Sequence, residues 1–254
     1  MSPRPAHSGT TSVSDVIAPS LSSWDFQRRE RELAESAKEL PTWRLANQAR
    51  RFLAGVTHEL SHRFDVPESV EYWKDVDAPL ARQMAIVQLG AIGVRTVGSI
   101  MSLIASGYER EALTFARILL ETEIRGRQLG DDTSGETARN ILQGRSPGSL
   151  KSAAHRYGSQ ADVRFLDRFA HADVLTLITL SVDRLAVPPE RETLLELRPQ
   201  RGKFSPANQL FAAAHRSVGI SAMQAEAFGC AVEIPRWVSG QLLYYKDHPL
   251  DPTL

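Results

Sequence analysis

Apolar positions are concentrated in the middle of the chain. From Met84 to Ala105 almost every residue is apolar or small, and only Gln88 and Arg95 are strongly polar. From Ala112 to Leu120 the one strongly polar residue is Arg117. The pattern predicts two long helices, Leu80–Ala105 and Tyr108–Leu129, joined by a Ser106-Gly107 turn. Helices that are apolar over most of their circumference sit inside a protein, so the remaining elements must cover this pair.

Those elements can be placed by charge, periodicity and breakers. Alternating charge over Trp24–Leu40 predicts an exposed helix, which Pro41 ends. Thr42 can cap the next helix, running to Phe64, with Leu45, Ala49, Phe52, Val56 and Leu60 in one stripe at three-four spacing. Asp65–Pro79 is a connection. After Gly130-Asp131-Asp132, short helices are expected at Ser134–Gln143 and Gly148–Tyr157, then a long one from Ala161 to Leu185 with a break near His171. Glu192–Leu197 reads as a short strand or a linker. Ser205 as N-cap and Pro206 at the first helical position open a helix that runs to Phe228 and stops at Gly229. No strand pattern is long enough for a central sheet. The expected class is all-α: an up-down helical bundle with additional N-terminal helices and short peripheral helices. The segments are a disordered N-terminal tail (1–23, rich in Ser, Thr and Pro), N-terminal helices (24–79), the bundle core (80–236) and a C-terminal tail (237–254).

Composition narrows the setting. The 254 residues carry a formal net charge of zero, so no global field steers the chain onto nucleic acid or membrane, and any such site is a local patch. A single cysteine, Cys230, excludes an internal disulfide and fits a reducing compartment. Met1–Ser23 lacks an apolar stretch of signal-peptide length. Met84–Ala105 is long enough to span a bilayer, but Arg95 at its centre would cost several kcal/mol there, roughly 2.5–3.5 on insertion scales. A cytoplasmic protein with no membrane partner is expected.

Three constellations carry candidate chemistry. The first is Arg117 and Glu121, at i and i+4 in an apolar helix. Arg before Glu is the weaker order for helix support, and a buried pair needs further partners. Arg95 and His171 are the candidates from facing helices. The run from Ala105 to Glu121, with its Gly107-Tyr108 turn, Ala112-Leu113, Arg117 and Glu121, resembles the signature of a large bacterial family of uncharacterised helical proteins. Arg164–Leu180, leading through His171 into a Leu-rich helix, is similar to that family's second motif. The resemblance covers roughly Leu80 to Phe228 and implies a helical bundle with no settled activity. Arg164 and His171, with six residues between them, also resemble the Arg–His motif of HEPN-type (higher eukaryote and prokaryote nucleotide-binding) bundles, although Phe165 stands where such motifs usually place a polar residue. That resemblance implies metal-free RNA cleavage, with His171 moving the ribose 2′-hydroxyl proton and Arg164 stabilising the phosphorane, and a place in bacterial defence. The alternative for Arg117, Glu121 and His171 is a satisfied buried cluster that fixes helix register.

The second constellation is His58-Glu59-Leu60-Ser61-His62, a literal H-E-x-x-H. Two His at i and i+4 can chelate Zn²⁺, with Glu59 as general base for its water. The stretch resembles the zincin metallopeptidases, with Val56 and Phe64 in the apolar frame and Arg63 departing from it. No third-ligand motif follows; Glu68, Glu71, Glu109 and Glu111 are the available carboxylates. The third is the acid-free stretch Thr137–Ala161, with Arg139, Arg145, Lys151, His155 and Arg156. Beside Arg164 and Arg168 it would make a basic surface for RNA or nucleotide phosphate; otherwise it is a solvated loop region. The cluster Arg198, Arg201 and Lys203 is equally ambiguous. Three functions stand open: an RNA-cleaving or nucleotide-binding bundle without a cofactor, a zinc peptidase on His58 and His62, and a non-catalytic interaction module contacting a partner or second copy through Trp24, Trp43 and the charged first helix.

Overall fold

The computed structural model describes residues 35–36, 38–63, 76–170, 205–248 and 250, with backbone alone at 168–170. The expected N-terminal tail, most of the first charged helix, the Glu192–Leu197 segment, the cluster at Arg198, Arg201 and Lys203, and everything from His171 to Leu185 lie outside the described residues. The class is all-α. Eight helices appear among the described residues: α1 Pro41–Ser61, α2 Ala78–Ala105, α3 Ala112–Asp131, α4 Glu136–Leu142, α5 Leu150–Arg156, α6 Gln160–Ala170, α7 Pro206–Ala227 and α8 Arg236–Asp247.

The helix ends follow local chemistry. Pro41 opens α1, because the first helical position has no use for an N–H, and the described helical residues before it stop at Glu39. Thr42 is therefore inside the helix, buried, and its hydroxyl finds no partner among the described residues, so it is not the expected cap. Asp77 caps α2 through Leu80 N at 2.8 Å. Gly107 turns the chain with φ 79°, a conformation that costs Gly nothing, but α3 begins at Ala112, later than Tyr108. Ser205 caps α7 and Pro206 begins it, as expected. The segment expected as a C-terminal tail contains α8.

α2 is the helix around which the others pack: α1, α3, α4 and α7 all contact it. Ile86 and Leu119 of the central pair lie against Gly126 and Gly93 respectively, so α2 and α3 are antiparallel. Arg50 faces Gly98 and Thr57 faces Gly90, so α1 also runs against α2. Gln224 meets Gly90 and Ile220 meets Gly93, which makes α7 antiparallel to α2 and parallel to α1. α1 thus belongs to the core itself. Its buried stripe is Leu45, Ala46, Ala49, Leu53, Thr57 and Leu60, with Phe52 and Val56 at the margin. α5 and α6 cover α3, and α8 covers α1 and α7 through Val238. Among the described residues α2 alone is long and apolar enough to cross a membrane; here most of its surface is buried against protein. Beyond its first turn, where Pro79 is exposed, the exposed residues Gln88, Ile92, Arg95 and Ser102 recur at helical spacing and form one narrow stripe.

The seam between α1, α2 and α7 carries a buried polar contact. Gln224 Nε2 donates to Thr57 Oγ1 at 3.0 Å and to the Ile86 carbonyl at 3.4 Å. Gln224 is wholly buried, so losing these bonds leaves its amide unsatisfied. A Cβ at Gly90 would lie 2.0 Å from Gln224 Nε2 and 2.6 Å from Thr57 Oγ1, whereas a Cβ at Gly55 meets nothing within 4 Å. Gly90→Ala should therefore destabilise by about 1–4 kcal/mol, since overpacking and lost hydrogen bonds outweigh the helix-propensity gain of about 1 kcal/mol. Gly55→Ala should stabilise by up to about 1 kcal/mol. Chemical denaturation of the two variants checks the pair; equal midpoints would refute the tight seam.

Candidate functional site

Arg117 and Glu121 project from α3, as their spacing predicts, but the partner that matters is Asp167 on α6. Arg117 Nε donates to Asp167 Oδ1 at 2.7 Å, while the ion pair to Glu121 is 3.4 Å long. The Arg117 side chain is 13% exposed and Asp167 25%, against 43% for Glu121. Arg117 is thus held mainly from the facing helix. Glu121 bridges on to Arg125 at 3.5 Å, in the Glu-before-Arg order that favours a helix. Burial lowers the pKa of Arg125, and the Glu121 charge opposes that shift. Arg125 also donates to Gln128 Oε1 at 2.7 Å and to the Gly148 carbonyl at 3.2 Å, which ties α3 to the α4–α5 connection. Arg95 does not join this cluster; it is exposed on the solvent stripe of α2. His171 lies outside the described residues, as does the side chain of Arg168.

A second ion-pair set escaped the sequence reading. Glu123, 8% exposed, accepts from Arg127 at 2.6 Å and from Arg216 of α7 at 3.2 Å. The i, i+4 order of Glu123 and Arg127 was a readable signal; nothing along the chain points to Arg216.

The acid-free stretch is partly turned inward. Arg139 binds the Val76 carbonyl at 3.0 and 3.3 Å and the Ser134 carbonyl at 3.2 Å. Arg156 lies 3.9 Å from Asp131, and Tyr157 donates its hydroxyl to the same carboxylate at 2.6 Å. Burial raises the Tyr157 phenol above its ordinary value, and the hydrogen bond and charge of Asp131 raise it further. Arg145 and Lys151 are exposed. Lys151, Gln160, Val163, Arg164 and Asp167 line a shallow hollow of about 410 Å³, in which the Arg117-bound carboxylate faces the two exposed cations.

The His58 and His62 rings meet at the C-terminal end of α1, both exposed, with Nε2 atoms 3.3 Å apart. Glu59 is exposed beside them. Among the described residues no group of three or more His, Cys, Asp or Glu is placed to hold a metal. Glu109 and Glu111 follow the C-terminal end of α2, next to the start of α1, and so stand at the opposite end of α1 from the histidines. Glu68 and Glu71 lie outside the described residues.

A second concave surface brings together Trp43 and Arg95, which the sequence reading had assigned to different roles. A groove of about 800 Å³ runs between the N-terminal half of α1 and the C-terminal half of α2. Trp43, Asn47 and Arg50 form one wall, Arg95, Ser99 and Ser102 the other, and Phe115 of α3 contributes at the base. Among the described residues no Asp or Glu lines it. Arg50 Nε is buried and has no hydrogen-bond partner among the described residues. Neither Arg50 nor Arg95 forms an ion pair among the described residues, whereas Arg117, Arg125, Arg127 and Arg216 all do. Arg50 lies against α2 at Gly98, where a Cβ would be in ordinary contact with its Nη1 at 3.4 Å. One signal was available in the sequence, the seven-residue spacing of Gln88 and Arg95, which places both on one helix face.

No family model, curated protein or solved structure matches the chain. The groove and the ion pairs therefore carry the functional reading by their own geometry.

If Asp167 is the principal partner of Arg117, Asp167→Ala should cost about 1–3 kcal/mol, because it strips the shorter bond from a mostly buried guanidinium. Glu121→Ala should cost less than about 1 kcal/mol, as befits a half-exposed carboxylate. Urea unfolding of both variants checks the order; a larger loss at Glu121 would reverse it. The raised Tyr157 phenol sets a pH dependence. Its stabilising contribution is complete below the ordinary value of 10.0 and is lost as pH rises through the higher folded-state value. Ring-labelled tyrosine resonances should show Tyr157 titrating late in the unaltered chain and earlier in Asp131→Asn.

Proposed function

We propose that this chain binds a nucleotide unit, free or within single-stranded RNA, in the groove between α1 and α2. The observation that supports this best is the pair Arg50 and Arg95. They face an acid-free groove, have no carboxylate partner among the described residues, and leave a buried Arg50 Nε unsatisfied. A phosphate in the groove would give the guanidinium groups charge-assisted bonds, stronger than neutral ones. Trp43 and Phe115 offer ring faces for a base, and Asn47, Ser99 and Ser102 offer polar contacts for its edges or for a ribose. Stacking on an aromatic side chain contributes about 1–3 kcal/mol per base and tolerates any base. In this reading the ion pairs around Arg117 and Glu123 hold α6 and α7 in place and the ligand is held elsewhere. The reading is one of binding and assigns no bond-breaking step.

Calorimetric titration with ATP and with a short single-stranded oligoribonucleotide tests it. Arg50→Ala and Arg95→Ala should each weaken binding about tenfold or more, the equivalent of one charged hydrogen bond of about 1.5–3 kcal/mol. Trp43→Ala should weaken it comparably by loss of stacking. Affinity should fall with rising salt, and less steeply in the arginine variants. Binding that is unchanged in all three variants, or absent in the unaltered chain, refutes the groove.

A further inference from the structure

We infer that His58 and His62 form a two-histidine clip for a divalent transition metal, Zn²⁺ in the first place. The clip is independent of the nucleotide groove. The two imidazoles lie one turn apart on α1, and their Nε2 atoms converge to 3.3 Å with the rings at 89°. Two nitrogens each about 2.05 Å from Zn²⁺ and separated by a tetrahedral angle stand about 3.3 Å apart, so the observed gap is the bite the ion requires. Both rings are exposed.

Their position adds a second argument. His58 stands in the last turn of α1 and His62 is its C-cap, with Ser61 Oγ donating to the His58 carbonyl at 2.7 Å. Free carbonyls at a helix C-terminus hold partial negative charge, which favours a cation there. A metal bridging residues i and i+4 also ties down a helix end that would otherwise fray. The clip supplies two ligands and leaves the other positions to water. It differs from a zincin centre, which needs a third protein ligand: among the described residues no group of three ligands assembles.

The competing account of the same distance is an N–H···N hydrogen bond between the rings, with no affinity for metal. Titration of the untagged full chain with Zn²⁺, and with Co²⁺ for its tetrahedral absorption bands, separates the two. Removing an outer-shell partner of a metal ligand already costs about 10–100-fold, so loss of a ligand should cost at least that. One equivalent of Zn²⁺ should bind, weakened at least tenfold in both His58→Ala and His62→Ala and unchanged in His155→Ala, another exposed histidine. Binding should fail as pH is lowered, because only neutral imidazole ligates. Zn²⁺ should raise the thermal midpoint of the unaltered chain and of neither clip variant. Absence of binding in the unaltered chain, or binding that survives loss of either histidine, would overturn the clip. Circular dichroism of the variants, expected to be native because both side chains are exposed, guards against loss of fold as the cause.

Discussion

The structure depends on how closely α1 and α7 can approach α2. Gly90 and Gly93 lie three residues apart and share one face of that helix. Leu53 and Ile220 close over Gly93 at 3.1 and 3.3 Å from where a Cβ would be, and Thr57 and Gln224 occupy the space over Gly90. Two glycines in a helix interior cost about 2 kcal/mol of propensity. The notch offsets this by admitting two neighbouring helices at once and by giving the Gln224 amide a buried hydroxyl and a carbonyl to bind. The seam also sets register. A shift of one turn in α1 or α7 would remove Gln224 from Thr57 and drive a side chain into the backbone of α2.

Charge completes what the notch begins. α3 sends Arg117 to Asp167 and Glu123 to Arg216, so one helix holds α6 and α7 by ion pairs at the edge of the core. These pairs are partly shielded from water, where breaking one partner costs more than a surface bridge would. The groove differs: Arg50 and Arg95, neither of them in an ion pair among the described residues, line one hollow together.

The groove follows from the same packing. α2 is covered by α1, α3, α4 and α7, and its remaining exposed stripe contains Arg95. α1 crosses beside that stripe and places Arg50 against Gly98, with Trp43 on the same wall. Residues from three helices, as far apart along the chain as Trp43 and Phe115, meet there only because α1 and α2 run antiparallel.

Much of the architecture was legible before any coordinates. The run of apolar residues from Met84 to Ala105 specifies a central helix because burial is the only favourable place for so much apolar surface. Ser205-Pro206 and Gly229 mark the ends of α7 because caps are local chemistry. The absence of period-two alternation excluded a central sheet. Tertiary structure decided the rest. Asp167 and Arg216 as partners, Arg95 facing outward, and α1 as a core helix all depend on which faces meet. The spacing of Leu45 and Ala49 shows a stripe but not its neighbour, and a burial pattern carries no address. His58 and His62 were evident from their four-residue spacing, whereas the gap between their nitrogens rests on side-chain rotamers that no sequence states. A chain encodes its periodicities one segment at a time. A site built from three segments exists only once the helices have chosen their partners.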